Sequence, residues 1–153
     1  MVLIEYALFL FVSIPIAVII HEYGHVFFLK LFSAEITEIK FGTGDNKLFS
    51  LGKHTLYKGN PLYGRVNFVL NNALAFQLLL ISAGGIIFNI LSASTVWYLM
   101  TIDYLPKIIP FRGFVVYSYL MAIYVMIPTV YKDGHTSDGK NIILLLRRWL
   151  SKT

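Results

Sequence analysis

The chain has 153 residues, of which 57% are hydrophobic and 14% charged, and its mean hydropathy is +0.68. A water-soluble domain of this size needs more polar surface, so the composition excludes an ordinary soluble domain and indicates lipid as the solvent for much of the chain. The net charge of +5 does not indicate a nucleic-acid partner, because the basic residues flank apolar runs instead of forming a stripe beside aromatic residues.

The first predicted element is a membrane-spanning helix of about residues 2–31. This stretch is apolar apart from Glu5 and the segment HEYGH at residues 21–25, and a span needs roughly 20 predominantly apolar residues. It has neither the basic start nor the small-residue cleavage site of a secretory signal. We therefore interpret it as a retained span.

A region of different character follows at about residues 36–69. Its β-branched and aromatic residues are interrupted by turn-forming Gly, Asn and Asp, and short runs at residues 39–41, 55–57 and 65–69 are typical of strands. The region predicts a small β-hairpin at the membrane surface.

Two further spans are predicted at about residues 70–101 and 112–131, because each lies in a stretch without a formally charged side chain. The polar residues of the second span are Asn, Gln, Ser and Thr. These residue types suit contacts between membrane helices better than exposure to lipid.

The tail, at about residues 138–151, is too short to span a membrane and has apolar residues on one helical face with basic residues mainly opposite. This pattern predicts an amphipathic helix lying in the membrane interface. Packing of the same face against the helix bundle is the alternative. The apolar positions are Ile142, Leu145, Leu146 and Trp149.

Basic residues predict the orientation of the chain. With three spans, the β-hairpin region and the tail lie on the same side and carry ten basic residues, whereas the other side carries Lys107 and Arg112. Because basic loops stay in the cytoplasm, we expect the β-hairpin and the C-terminus to be cytoplasmic in a multi-pass protein of the cytoplasmic membrane.

The segment HEYGH carries the strongest chemical signal. His21 and His25 are four residues apart, so on a helix both imidazoles lie on one face and can reach a single zinc ion. Glu22, beside the first histidine, can act as the general base that takes a proton from an attacking water. A metal would offset the cost of placing these polar groups in a membrane helix; a polar helix–helix contact or histidines in a water-filled vestibule are the alternatives. Gly24 leaves a patch without a side chain where a helix or substrate can approach.

A catalytic zinc site usually has three protein ligands, so one more is expected. The chain contains no cysteine, which restricts the ligand to His, Asp or Glu. Candidates follow the third span, and residue chemistry alone does not separate them: Asp133, His135 and Asp138.

These motifs resemble those of the site-2 protease family of intramembrane metalloproteases, and the likeness covers nearly the whole chain. The family pairs HExxH in one membrane helix with a glycine-and-asparagine motif in the next. Here that motif is AGGIIFN at residues 83–89, in which Gly85 and Asn89 match and Ile86 stands where proline is usual. The resemblance implies that Asn89 and Gly85 line the active site and bind substrate; an interhelical hydrogen bond is the other interpretation of Asn89.

In the same family a later span supplies an Asp-Gly ligand motif. Two Asp-Gly pairs follow Pro128 here, while Val125 stands where the family usually has asparagine. Compact members often carry Ser-Asp-Gly, as residues 137–139 do. The resemblance therefore favours Asp138 over Asp133 as the third zinc ligand.

The stretch NPLYGRV at residues 60–66 is similar to the segment that follows the family's β-hairpin. That region of the family is thought to bind an extended substrate by strand addition. A structural turn is the alternative interpretation of this stretch.

The sequence thus predicts an all-α membrane protein with one domain over residues 1–153: three transmembrane helices around a zinc site, a small cytoplasmic-side β-hairpin and a C-terminal amphipathic helix. The resemblance implies an intramembrane zinc endopeptidase that cleaves in or near a transmembrane helix of a membrane-protein substrate. The alternative is a non-proteolytic membrane homologue that binds partners or handles metal. The expected partners are that substrate and the lipid bilayer, and a regulatory partner is compatible with the sequence.

Overall fold

The computed structural model of the protein describes residues 2–60, 62–131 and 134–151. The described part is mainly helical and contains one small sheet. Its helices are α1 (Val2–Leu8), a π-helical segment (Phe9–Ser13), α2 (Ile14–Leu31), α3 (Ala75–Thr101), α4 (Ile109–Met126) and α5 (Asp138–Leu150), and its strands are β1 (Glu35–Phe41), β2 (Lys47–Leu51), β3 (His54–Tyr57) and β4 (Gly64–Val69).

Three helices are long and apolar enough to cross a membrane: Val2–Leu31, which joins α1, the π-helical segment and α2, then α3 and α4. The second begins later than the expected residue 70, because Asn72 has a positive φ of 54° and turns the chain before the helix. The third ends earlier than residue 131. Pro128 disfavours helical geometry in Ile127, whose backbone is extended.

The β segment is larger than the predicted hairpin and forms a four-stranded mixed sheet in the order β2-β3-β1-β4. Strand β1 pairs parallel with β3 and antiparallel with β4. The three runs expected as strands lie in β1, β3 and β4, whereas β2 was not predicted. Its sequence KLFSL contains no β-branched residue, which leaves little strand signal.

The sheet is attached to the helices by an apolar core. Val26 and Leu29 of α2 cluster with Ile36 and Ile39 of β1 and with Ile81 of α3. This burial holds the sheet against the crossing of α2 and α3 and makes it part of the same core as the bundle. A second cluster joins α2, α3 and α4 and contains Ala17, Ala93, Met100, Phe114 and Val115.

The start of helix α5 packs against the bundle, which is the alternative arrangement from the sequence, and its place in the membrane interface stays a prediction. Ile142 packs against a core formed by Ile86, Ala122 and Val125 of α3 and α4. At its other end, Trp149 and Leu150 are exposed. The start of α5 is therefore fixed to the bundle, and its end presents apolar side chains outward.

Candidate metal centre

Three side chains converge at the crossing of α2 with α3. The Nε2 atoms of His21 and His25 lie 3.3 Å apart, and Oδ2 of Asp138 lies 3.1 Å from the first and 3.4 Å from the second. One ligand atom from each residue can be chosen so that all three lie within 4.8 Å of one another. Oδ2 is buried without a hydrogen-bond partner. Two imidazoles and one carboxylate in this arrangement are the donor set of a catalytic zinc site, so the residues fit the metal.

The hydrogen bond of His25 determines which of its ring nitrogens can bind a metal. Its Nδ1 lies 2.7 Å from the backbone carbonyl oxygen of Ile81. A carbonyl can only accept, so Nδ1 carries the proton and donates it. The lone pair of Nε2 is thereby directed toward His21 and Asp138, as metal ligation requires.

Asp138 reaches the histidines through the junction between α4 and α5. The hydroxyl of Ser137 donates to the carbonyl of Ile127 at 2.7 Å and accepts from the backbone N–H of Thr129 at 3.0 Å. It also caps α5 by accepting from the N–H of Lys140. One buried side chain thus ties the end of α4 to the first turn of α5, where Asp138 is located.

Gly139 allows this junction to close. A Cβ atom at Gly139 would overlap the backbone carbonyl of Met126, the last residue of α4. Any side chain here would push α5 away from α4 and move Asp138 with it. Close packing against α4 therefore explains why a glycine follows Asp138.

Asp138 is mostly buried and lies against the two histidines. Burial by itself would raise the pKa of the Asp138 carboxyl, but nearby His25 and His21 more than offset burial and hold the pKa below its usual range. Asp138 is accordingly a carboxylate, the form that binds a metal.

Glu22 is buried beside the histidines and lies against the first residue of β4. A Cβ atom at Gly64 would approach Cγ and Oε1 of Glu22 to 2.5 Å. The stretch NPLYGRV thus contributes the glycine that makes room for the Glu22 carboxylate. Resemblance alone singled out this stretch, and no pattern in the sequence connects it with Glu22.

Glycines also set how closely α2, which carries both histidines, approaches α3. A Cβ at Gly24 would overlap the carbonyl of Gly84, so α2 and α3 cross backbone to backbone at the level of the histidines. Helix α3 occupies the patch at Gly24, and a helix was one of the two occupants expected there from the sequence. Gly85, the next residue along, faces the ring of His21, which leaves no room for a Cβ.

Gly85 and Asn89 lie behind His21. Asn89 is 0% exposed, and its Nδ2 lies 3.4 Å from Nδ1 of His21. Neither residue is among those that line the cavity at the site. Their predicted role in binding substrate stays a prediction. The other candidate ligand, Asp133, lies outside the described residues.

A cavity of about 770 Å³ is lined by the candidate metal ligands. Its lining also includes residues of β4 and the segment before it, of α3, of the end of α4 and of the α4–α5 junction. His135, the third candidate from the sequence, lines this cavity and is not part of the metal-binding group found among the described residues. The lining includes His21, Glu22, His25, Tyr63, Gly64, Arg65, Val66, Tyr124, Val125, His135 and Asp138.

Ser137 is the site residue that sequence reasoning did not recognise by its role. A serine directly before an Asp-Gly pair and an amphipathic helix is a common helix start, so the N-cap could have been predicted. Its second function, binding the end of α4, depends on a contact between elements and leaves no local pattern.

The chain is similar in sequence to a known family of proteins. The sequence model of peptidase family M50 matches residues 9–143. No curated protein matches the chain significantly. The family match includes HEYGH, the motif with Asn89 and Asp138.

Proposed function

The chain belongs to peptidase family M50, the site-2 protease family, and from this premise we propose that it is an intramembrane zinc-dependent endopeptidase. The family comprises zinc metalloproteases of membranes, and the three apolar helices agree with a multi-pass membrane protein. The proposed reaction is hydrolysis of a peptide bond in or near a transmembrane helix of a substrate protein.

The convergence of His21, His25 and Asp138 beside Glu22, in one cavity, supports this proposal most directly. The first three would hold zinc, which when bound supplies a Lewis acid that polarises the scissile carbonyl and acidifies a water. Glu22 is buried beside the ligands and can take the proton from that water as its oxygen bonds to the carbonyl carbon. It then passes the proton to the leaving nitrogen as the C–N bond breaks.

Strand β4 is the part of the protein best suited to hold the substrate. It is an edge strand whose one neighbour in the described sheet is β1. Tyr63, Gly64, Arg65 and Val66 also line the cavity, and Gly64 touches Glu22. An extended substrate segment added to this edge would bring its backbone to the catalytic carboxylate, with main-chain hydrogen bonds that tolerate varied sequence. The substrate helix must therefore unwind near the cut, which favours segments with glycine or other helix-weakening residues.

Ten basic residues against two support an orientation in which the sheet and the C-terminus face the cytoplasm. The cavity would then take its water from the cytoplasmic side. This orientation is part of the proposal.

The decisive experiment compares wild type with Glu22→Gln in the native cells. We expect membrane proteins that wild type cleaves to accumulate uncut with Glu22→Gln, and cleavage to fall by about 10²–10⁴-fold because the general base is lost. The purified variant should keep its zinc. Glu35→Gln changes an exposed acid on β1 and serves as the matched control.

Equal processing by wild type and Glu22→Gln would exclude the protease mechanism and favour the non-proteolytic homologue. The metal assignment has its own test, the zinc content of purified single variants. Asp138→Ala should lose zinc and Asp133→Ala should keep it. The reverse result would transfer the ligand role to Asp133.

A further inference from the structure

The side chain of Asn89 has an unusual position for a group expected to contact substrate. It is fully buried in α3, and its Oδ1 has no hydrogen-bond partner. Its Nδ2 lies 3.4 Å from Nδ1 of His21. A buried amide oxygen without a donor is destabilising, so this orientation needs an explanation.

Hydrogen-bond chemistry makes this amide orientation incompatible with a metal on His21. If Nδ2 donates to Nδ1, then Nδ1 is unprotonated and the ring proton must be on Nε2. That proton points at Nε2 of His25 and Oδ2 of Asp138, where a metal would bind. In this state His21 cannot ligate through Nε2.

A rotation of the amide by about 180° removes the conflict. The oxygen and nitrogen of an asparagine exchange places in this rotation and are distinguished only by their hydrogen bonds. Oδ1 then faces Nδ1 and accepts its proton, which frees the lone pair of Nε2. The Asn89 amide can therefore pair with either tautomer of His21. It donates to Nδ1 when no metal is bound and accepts from Nδ1 when a metal is bound.

The second histidine of the pair provides a comparison within the same site. His25 donates its Nδ1 proton to the carbonyl of Ile81, also on α3. His21 meets Asn89 on that helix, and Gly85, one turn before, leaves room for the ring. Both imidazoles thus contact α3 through Nδ1: that of His25 contacts a backbone oxygen and that of His21 a side-chain amide.

We propose that Asn89 is a positioning residue for the metal: its Oδ1 accepts the Nδ1 proton of His21 and directs Nε2 to zinc. This inference rests on the proposed zinc site but assigns Asn89 a role different from holding substrate. Acceptors of this kind typically raise metal affinity by 10–100-fold.

Zinc affinity, measured by chelator competition on the purified protein in detergent, tests the proposal without any substrate. We expect Asn89→Leu to bind zinc about 10–100-fold more weakly. Asn89→Asp keeps an acceptor oxygen and should stay within about a few-fold of wild type. Ser94 lies elsewhere on α3 and forms a hydrogen bond with Tyr119 of α4. Ser94→Ala removes this bond and should leave the zinc affinity unchanged.

Thermal unfolding with excess chelator separates metal binding from folding. Asn89→Leu should then still unfold in one cooperative transition, which shows that its weaker zinc binding does not come from misfolding. Wild-type zinc affinity in Asn89→Leu would overturn the proposal. If that variant binds zinc like wild type but no longer cleaves, Asn89 would be assigned to the substrate instead. Equal loss in Asn89→Asp and Asn89→Leu would also overturn the proposal. If His21→Ala keeps wild-type affinity, the zinc site itself is wrong, which is a different failure.

Discussion

His21 and His25 lie on one continuous helix, α2. Asp138 lies on a different helix, as the first residue of α5 after α4 has ended. The helix repeat places the histidines one turn apart whatever surrounds them. The position of Asp138 relative to the histidines is not determined by any local repeat. Its position depends on the Ser137 hydroxyl and on the close approach at Gly139.

The candidate metal centre thus combines a rigid part with a part held by a few specific contacts. Damage to the α2–α3 crossing should reduce the stability of the whole bundle. Damage to the α4–α5 junction should reduce metal binding first and leave the bundle folded. The following predictions test this difference in order of decreasing effect.

Gly24→Ala should have the largest effect on stability. The added methyl group would overlap the carbonyl of Gly84 between two long helices, and overpacking of this kind costs about 1–3 kcal/mol. We expect a lower free energy of unfolding in detergent with chelator present. Gly113→Ala is the comparison variant, because its methyl group would meet the side chain of Phe9 instead of backbone atoms of another helix. Equal stability of Gly24→Ala and wild type would mean that the helices cross further apart.

Ser137→Ala should chiefly weaken zinc binding. It removes a buried N-cap, worth about 0.5–2 kcal/mol, together with the bonds to Ile127 and Thr129. We expect about a tenfold loss of zinc affinity, with α2 and α3 unchanged by hydrogen exchange. Ser151→Ala, at the exposed end of the same helix, should bind zinc normally. If hydrogen exchange in Ser137→Ala becomes faster across the whole bundle instead, the α4–α5 junction does not open independently of the bundle.

The smallest effect is expected in the sheet, away from the metal centre. Glu38 accepts hydrogen bonds from Tyr57 and Asn67. Glu38→Gln should lower stability by less than about 1 kcal/mol, since the site is partly exposed. Limited proteolysis of the sheet, with Glu35→Gln as control, measures this. A large effect would show that the sheet is critical to the bundle.

The same carboxylate predicts a pH dependence. Partial burial would raise the pKa of Glu38, but hydrogen bonds from Thr55, Tyr57 and Asn67 hold it below its ordinary value of 4.5. The stabilisation is therefore complete above pH 4.5 and is lost as the pH falls through the lower folded-state pKa. Glu38→Gln should not show this loss.

The sequence predicted the parts of the fold that depend on local pattern. Three apolar stretches gave three candidate spans, and the spacing within HEYGH placed two histidines on one helical face. The resemblance favoured Asp138, and the structure brings it to the histidines. The sheet was underestimated because β2 has a weak strand signal, and strand pairing between distant segments is not encoded in any short run.

What the sequence determined by itself is therefore the composition suited to lipid, the helices and the spacing of the histidine pair, since each follows from residues near one another in the chain. Tertiary structure alone placed Gly64 against Glu22, Asn89 behind His21 and Asp138 between the imidazoles. These contacts join residues far apart in the chain. Their geometry depends on how closely whole helices and strands approach, and that is decided by packing at the glycines and by hydrogen bonds across the junction.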